Sequence, residues 1–153
     1  MERRVEGDPD RLAGIYAAVI SALIAGGYAN FDPWPPVTYI DTTARSSAGP
    51  VAVSDVVTSL IPIEVQHRMS EALAAHTEVH FVDDPQSVIQ PDSRVRDDGV
   101  LVTLAPVPPA GRLVRIGARS YSGNLGRNSC TFIVDGAGAQ WQVTGTTGIY
   151  SVS

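Results

Sequence analysis

The sequence holds a single cysteine, Cys130. One thiol closes no internal disulfide and completes no Cys-x-x-Cys pair, so a disulfide framework and a dithiol centre are both excluded. This fits a reducing compartment, and the expectation is a cytoplasmic protein. Other signatures are missing as well. There is no G-x-x-x-x-G-K-[ST], no H-E-x-x-H and no G-x-S-x-G, so the common phosphate-loop, zinc-protease and nucleophile-elbow chemistries have no foothold. A membrane span needs about 20 consecutive apolar residues. The longest candidate, Leu12 to Ala25, is shorter and is interrupted by Gly26-Gly27. Charge is sparse too: charged residues make up 18% and the formal net charge is −5. An acidic chain repels phosphate backbones, and nothing reads as a basic surface helix, so neither nucleic acid nor membrane is expected as a partner.

What is present is a core. Hydrophobic residues make up 44% of 153, which suits one domain over residues 1–153. A chain of this size buries roughly 68–70% of its unfolded surface and needs no metal or disulfide to fold. The N-terminus admits a secretory-leader reading, because arginines precede the apolar run and Gly27-Tyr28-Ala29 resembles a cleavage site. Glu2, Glu6, Asp8 and Asp10 oppose it by breaking the positive leading region. The expectation is a core helix.

That helix starts at Asp8-Pro9, an N-cap followed by proline at the first helical position. Leu12, Ile15, Tyr16, Val19, Leu23 and Ile24 recur at three- and four-residue spacing, and Gly26 is a natural stop. Asn30 to Pro36 reads as rigid loop. Val37 to Thr42 reads as a strand ending in T-T-A-R-S-S-A-G-P, the most flexible-looking tract of the chain. Val51 to Leu60 is ambiguous between strand and helix. Pro62 opens a second helix to about His76, with Val65, Met69, Ala72, Leu73 and His76 on one face. Glu78 to Val82 is a short strand. Asp83 to Asp98, charged and broken by Pro85 and Pro91, reads as loop.

From Gly99 the pattern turns to strands: Val100 to Ala105, Arg112 to Tyr121, Cys130 to Asp135 and Gln140 to Thr146. Turn residues join them, which implies an antiparallel meander. The fold class expected is α+β, with two helices packed on one face of a mainly antiparallel sheet and a C-terminal four-strand meander. Alternation sends Val100, Val102, Leu104, Val114, Ile116, Ala118, Cys130, Phe132, Val134, Trp141 and Val143 toward the helices. The opposite set is polar: Thr103, Arg115, Arg119, Tyr121, Thr131, Gln140, Gln142 and Thr144.

Three runs, Tyr121-Ser122-Gly123-Asn124-Leu125, Thr131-Phe132-Ile133-Val134 and Trp141-Gln142-Val143, stand in order near the C-terminus. Together with Ile15 to Val19, they resemble a pattern in small uncharacterised bacterial domains of actinobacterial type. There a Y-x-G-N-L turn precedes a T-[YF]-x-V strand and a final W-x-V strand. The resemblance covers about half of the chain. It implies the α+β fold and no activity.

Candidate chemistry is thin. His76 and His80 have helical ligand spacing, with Asp83 and Asp84 nearby, but they fall on a helix end and a strand, so no metal is expected. No cofactor is expected either. Asp41 ends the first strand on the face of Tyr39 and could act as a general base or simply cap the T-T-A-R turn. Arg115, Arg119 and Tyr121 share one strand face, on which successive side chains, two residues apart in sequence, stand roughly 6.5–7 Å apart. Two guanidiniums and a phenol there suit a carboxylate or phosphate. The competing reading folds Asp83, Asp84, Asp97 or Asp98 over that face and neutralises it.

Three functional classes follow. The first is a binding or interaction module without catalysis, taking a small anionic ligand or a protein partner, with a homodimer through sheet edge or polar face as one form. The second is a cofactor-free enzyme acting on a small organic molecule. The third is an acidic immunity-type or regulatory partner of a basic protein. The missing signatures point to the first and away from an enzyme. A deep pocket containing Asp41, Tyr39 or Arg119 would favour the enzyme.

Cys130 shares its alternation set with Phe132 and Val134 and is therefore an inert core thiol. It should resist thiol reagents in the native state; rapid stoichiometric labelling would contradict its assignment to the core.

Overall fold

The computed structural model describes residues 8–25, 34–49, 57–123, 127–136 and 140–152, with side chains except at 25 and 148–152. The expected stop at Gly26, residues 30–33, most of the 51–60 segment and the two turn tips at 124–126 and 137–139 lie outside the described residues.

Helix α1 spans Pro9–Ala25. Its cap is Asp8, whose Oδ1 accepts from the backbone N–H of Asp10 at 3.1 Å and of Arg11 at 3.4 Å. Strand β1 is Val37–Asp41, followed at once by β2, Thr43–Arg45. Residues Ser46–Ala48 form a 3-10 turn, and β3, Thr58–Leu60, pairs antiparallel with β2 as a small separate sheet. Helix α2 is Ile63–Leu73, β4 is Glu78–Val82, and β5 to β8 are Val100–Leu104, Leu113–Tyr121, Arg127–Asp135 and Gln142–Val152.

The class is α+β, with a six-stranded, mostly antiparallel sheet in the order β4-β1-β5-β6-β7-β8. Strands β5 to β8 are consecutive antiparallel neighbours. The sheet is mixed because β1 runs parallel to both β4 and β5. A five-residue strand such as V-T-Y-I-D carries no mark of its direction, so the meander extends as expected but the parallel insertion is new. Among the described residues, no helix is long and apolar enough to cross a membrane.

Both helices bury their apolar stripes in one cluster with the inner sheet face, built from Ile15, Val19, Leu23, Val65, Met69, Val102, Ile116 and Phe132, among others. Tyr16 reaches across and donates its hydroxyl to the Ala105 carbonyl at 2.8 Å, satisfying both groups out of water. Trp141 lies half-buried on α1, where any side chain at Gly14 would meet its ring at 2.8 Å.

Several boundaries differ from expectation. Helix α2 stops at Leu73, because the N–H groups of both His76 and Thr77 turn back to the Leu73 carbonyl. His76 therefore leaves the apolar face, is exposed, and stacks on Trp34 at 4.7 Å. Strand β7 begins at Arg127 and β8 continues to Val152. The T-T-A-R-S-S-A-G tract, expected to be the most flexible, is strand and 3-10 turn with Ala44 and Ala48 fully buried. The 83–98 stretch is not plain loop: it holds 3-10 turns at Pro85–Val88 and Arg96–Asp98 and a bridge between Ile89 and Val95.

Leu23 is fully buried between helices and sheet. Leu23→Ala should cost about 2–5 kcal/mol through lost burial and a residual cavity. Chemical denaturation of the variant checks this, and a cost under 1 kcal/mol on the order of a surface substitution would show that α1 is peripheral.

Candidate functional site

The outer sheet face, away from the helices, is covered in two places. The first cover is the 83–99 segment, which carries the chain from the end of β4 back to the start of β5. It holds itself down with apolar side chains: Val88 and Val95 cluster with Tyr39 and Leu101, and Ile89 and Tyr121 pack against them. The second cover is the Ser46–Gly49 strap, which crosses β6 at Gly117. A Cβ at 117 would fall 2.7 Å from Gly49 Cα. Glycine on both segments permits this approach. Two hydrogen bonds tie the strap to the sheet: Ser129 Oγ donates to the Ala48 carbonyl at 3.3 Å and Arg119 Nη1 to the Ser47 carbonyl at 3.4 Å.

Between the two covers lies a cavity of about 530 Å³. Asp41, Arg45, Thr103, Arg119, Tyr121 and Arg127 supply its polar lining, and Pro85, Ile89 and Leu101 its hydrocarbon. Asp41 is 1% exposed. Its Oδ1 accepts the Thr43 N–H at 3.0 Å, which closes the turn into β2, and its Oδ2 accepts Arg45 Nε at 2.9 Å. A buried carboxylate is tolerated only with such partners. Arg127 sits 5.8 Å from the Tyr121 ring centroid, and the Tyr121 hydroxyl donates to the Ser93 carbonyl at 2.7 Å. Arg119 lies among like charges. Burial, then Arg127, then Arg45 lower its pKa, and Asp41 partly offsets them.

Of the residues singled out in the sequence, Asp41, Arg119 and Tyr121 come together here. Arg115 shares their strand face but lies beyond the strap, lining a separate cavity of about 310 Å³ with Ser46, Gly117 and Thr131. Tyr39 points into the small apolar cluster and donates its hydroxyl to Asp97 Oδ2 at 2.5 Å. Burial, followed by that bond, raises its pKa. The loop carboxylates do not pair with the arginines of the face. Asp83 accepts from Thr42 Oγ1, Asp84 caps its own 3-10 turn, and Asp97 serves Tyr39.

Arg45 and Arg127 were missed. Counting back from buried Cys130 puts residue 127 outward, so the alternation would have found Arg127 had the strand been extended by three residues. Arg45 follows Asp41 across a strand-to-strand reversal and carries no such signal. Cys130 itself is buried on the inner face, and burial pushes its pKa up. His80 lies exposed beside Glu78. Among the described residues, no three His, Cys, Asp or Glu side chains are placed to hold a metal ion. Comparison with known proteins finds no matching family model, no matching curated protein and no matching solved structure.

The strap depends on Gly117. Gly117→Ala should destabilise the chain by about 1–3 kcal/mol, because backbone rather than a movable side chain stands in the way. A thermal melt indistinguishable from the parent would mean the crossing is slack.

Proposed function

We propose that the chain is a small binding module without catalytic activity, and that it takes a small organic anion in the cavity between the 83–99 segment and the outer sheet face. One observation carries this reading: three guanidiniums line a single cavity in which Asp41 is the lining carboxylate. Asp41 and Arg45 neutralise one another. Arg119 and Arg127 have no carboxylate within ion-pair distance among the described residues. Arginine keeps its charge at any physiological pH, and its fork matches the oxygens of a carboxylate or phosphate. Placement of the protein in the cytoplasm, and its likeness to small bacterial α+β domains, belong to this proposal.

A second reading, a cofactor-free enzyme, draws support from the presence of Asp41 and Arg119 in a real cavity. Both Asp41 oxygens already accept hydrogen bonds, and one is bound to a cation. Each oxygen keeps a second lone pair, but a general base must stand within reach of the substrate proton. Asp41 is 1% exposed and turned to Thr43 and Arg45, so it acts better as an anchor for Arg45. That places binding ahead of catalysis.

The test is Arg119→Ala. Among the described residues its one hydrogen bond is long, so stability should stay within about 0.5 kcal/mol of the parent. Thermal shifts are then measured with benzoate, citrate and phosphate against chloride at fixed ionic strength. The parent should be stabilised by at least one of them and the variant by none. Equal shifts in both proteins, or none in the parent, would sink the reading, as would loss of stability with anion response retained.

A further inference from the structure

The walls of the outer-face cavity are of two kinds, and they follow one another along the same strands. Register sets Thr103 beside Arg119 and Leu101 beside Tyr121. One step of the β5–β6 pair is therefore polar, and the next, roughly 6.5–7 Å away, is apolar. Ile89 packs against that apolar step, and Pro85, Gln86 and Ser93 line the same cavity from the segment above. A bare inorganic ion would leave that step unused.

The charged step has unspent donors. Arg45 meets Asp41 through Nε, and among the described residues no side-chain hydrogen bond occupies the terminal nitrogens of its fork. Arg119 gives one long bond to the Ser47 carbonyl. Arg127 leans on the Tyr121 ring. With the Asp41–Arg45 pair neutral, two positive charges stand without a carboxylate counterpart among the described residues, and their mutual repulsion is part of what weakens the hold of Arg119 on its proton. A monoanion compensates one of these charges and a dianion both. Three forks reach the cavity from three strands, β2, β6 and β7. A single group bearing three oxygens can face all of them at once, whereas a dicarboxylate divides its charge between two groups and would set one against the hydrocarbon.

We propose that this cavity binds a small phosphomonoester with an apolar organic part: the phosphoryl oxygens lie on Arg45, Arg119 and Arg127, and the organic part rests on Leu101, Ile89 and Pro85. The proposal rests on the anion-binding reading above and narrows it to one ligand chemistry.

Isothermal titration at pH 7.5 and fixed ionic strength tests it with phenyl phosphate, inorganic phosphate, benzoate and phthalate. Phenyl phosphate should bind at least about tenfold more tightly than each of the other three, the worth of one charge-assisted contact or one buried ring face. Arg127→Gln should fold as the parent does by circular dichroism and melting, and lose about tenfold or more in phenyl phosphate affinity. Benzoate or phthalate matching phenyl phosphate would overturn the proposal and leave the anion-binding reading standing. Inorganic phosphate matching it would do the same, by removing the organic part. A phosphotyrosyl hexapeptide binding more tightly than phenyl phosphate would move the site from a free molecule to a modified protein and overturn it too. Unchanged affinity in Arg127→Gln would place the ligand elsewhere. No heat with any of the compounds at millimolar concentration would remove both readings.

Discussion

Strand β1 runs parallel to both of its neighbours, and a parallel neighbour cannot be reached by a tight turn. The chain must travel the length of the sheet twice to fill those places. The return from β1 to β4 first lays the Ser46–Gly49 strap across the outer face and then carries α2 on the helix side. The return from β4 to β5 has no helix long enough to bury a stripe. It crosses the other face on Val88, Ile89 and Val95 instead. The covered outer face, its small apolar cluster and its cavity all follow from that one insertion. Without it, the face would be the open, solvated side of a meander.

Electrostatics then decide what the cavity suits. The chain as a whole is acidic, at −5, and at long range it repels an anion. Mobile ions screen that repulsion within about 8 Å at physiological salt, so an anion that has reached the cavity responds to the nearest groups. Those are arginines. Asp41 cancels only one of the three, because its carboxylate, nearly out of contact with water, is taken up by the Thr43 N–H and by Arg45. It aims Arg45 rather than neutralising the site.

Much of this was legible from residue order. The alternation of Val114, Ile116 and Ala118 with Arg115, Arg119 and Tyr121 separates inner from outer face correctly, and the three-and-four spacing of Leu12 to Ile24 finds α1. Both signals are periodic. What escaped has no period. Val88, Ile89 and Val95 are scattered among prolines and acids, so the segment reads as loop although it packs. Ser46 to Gly49 reads as mobile because its residues are small, yet smallness is what lets the strap lie against Gly117. The strap also separates Arg115 from Arg119, and no pattern within β6 could announce a barrier supplied by another segment.

The molecule has two apolar clusters of unequal size, a large one under the helices and a small one of Tyr39, Val88, Val95 and Leu101 on the far side. Clusters so unequal need not open together, and native proteins release their weaker units at a lower free energy than the whole. Amide hydrogens of the 83–99 segment will then exchange through a partial opening that leaves the helices and the β5–β8 ladder closed. The cavity has one wall on each unit. Anything held between the arginines and Ile89 is thereby a clasp across two cooperative units, and it slows the exchange of the thinner wall as well as raising the melting of the whole.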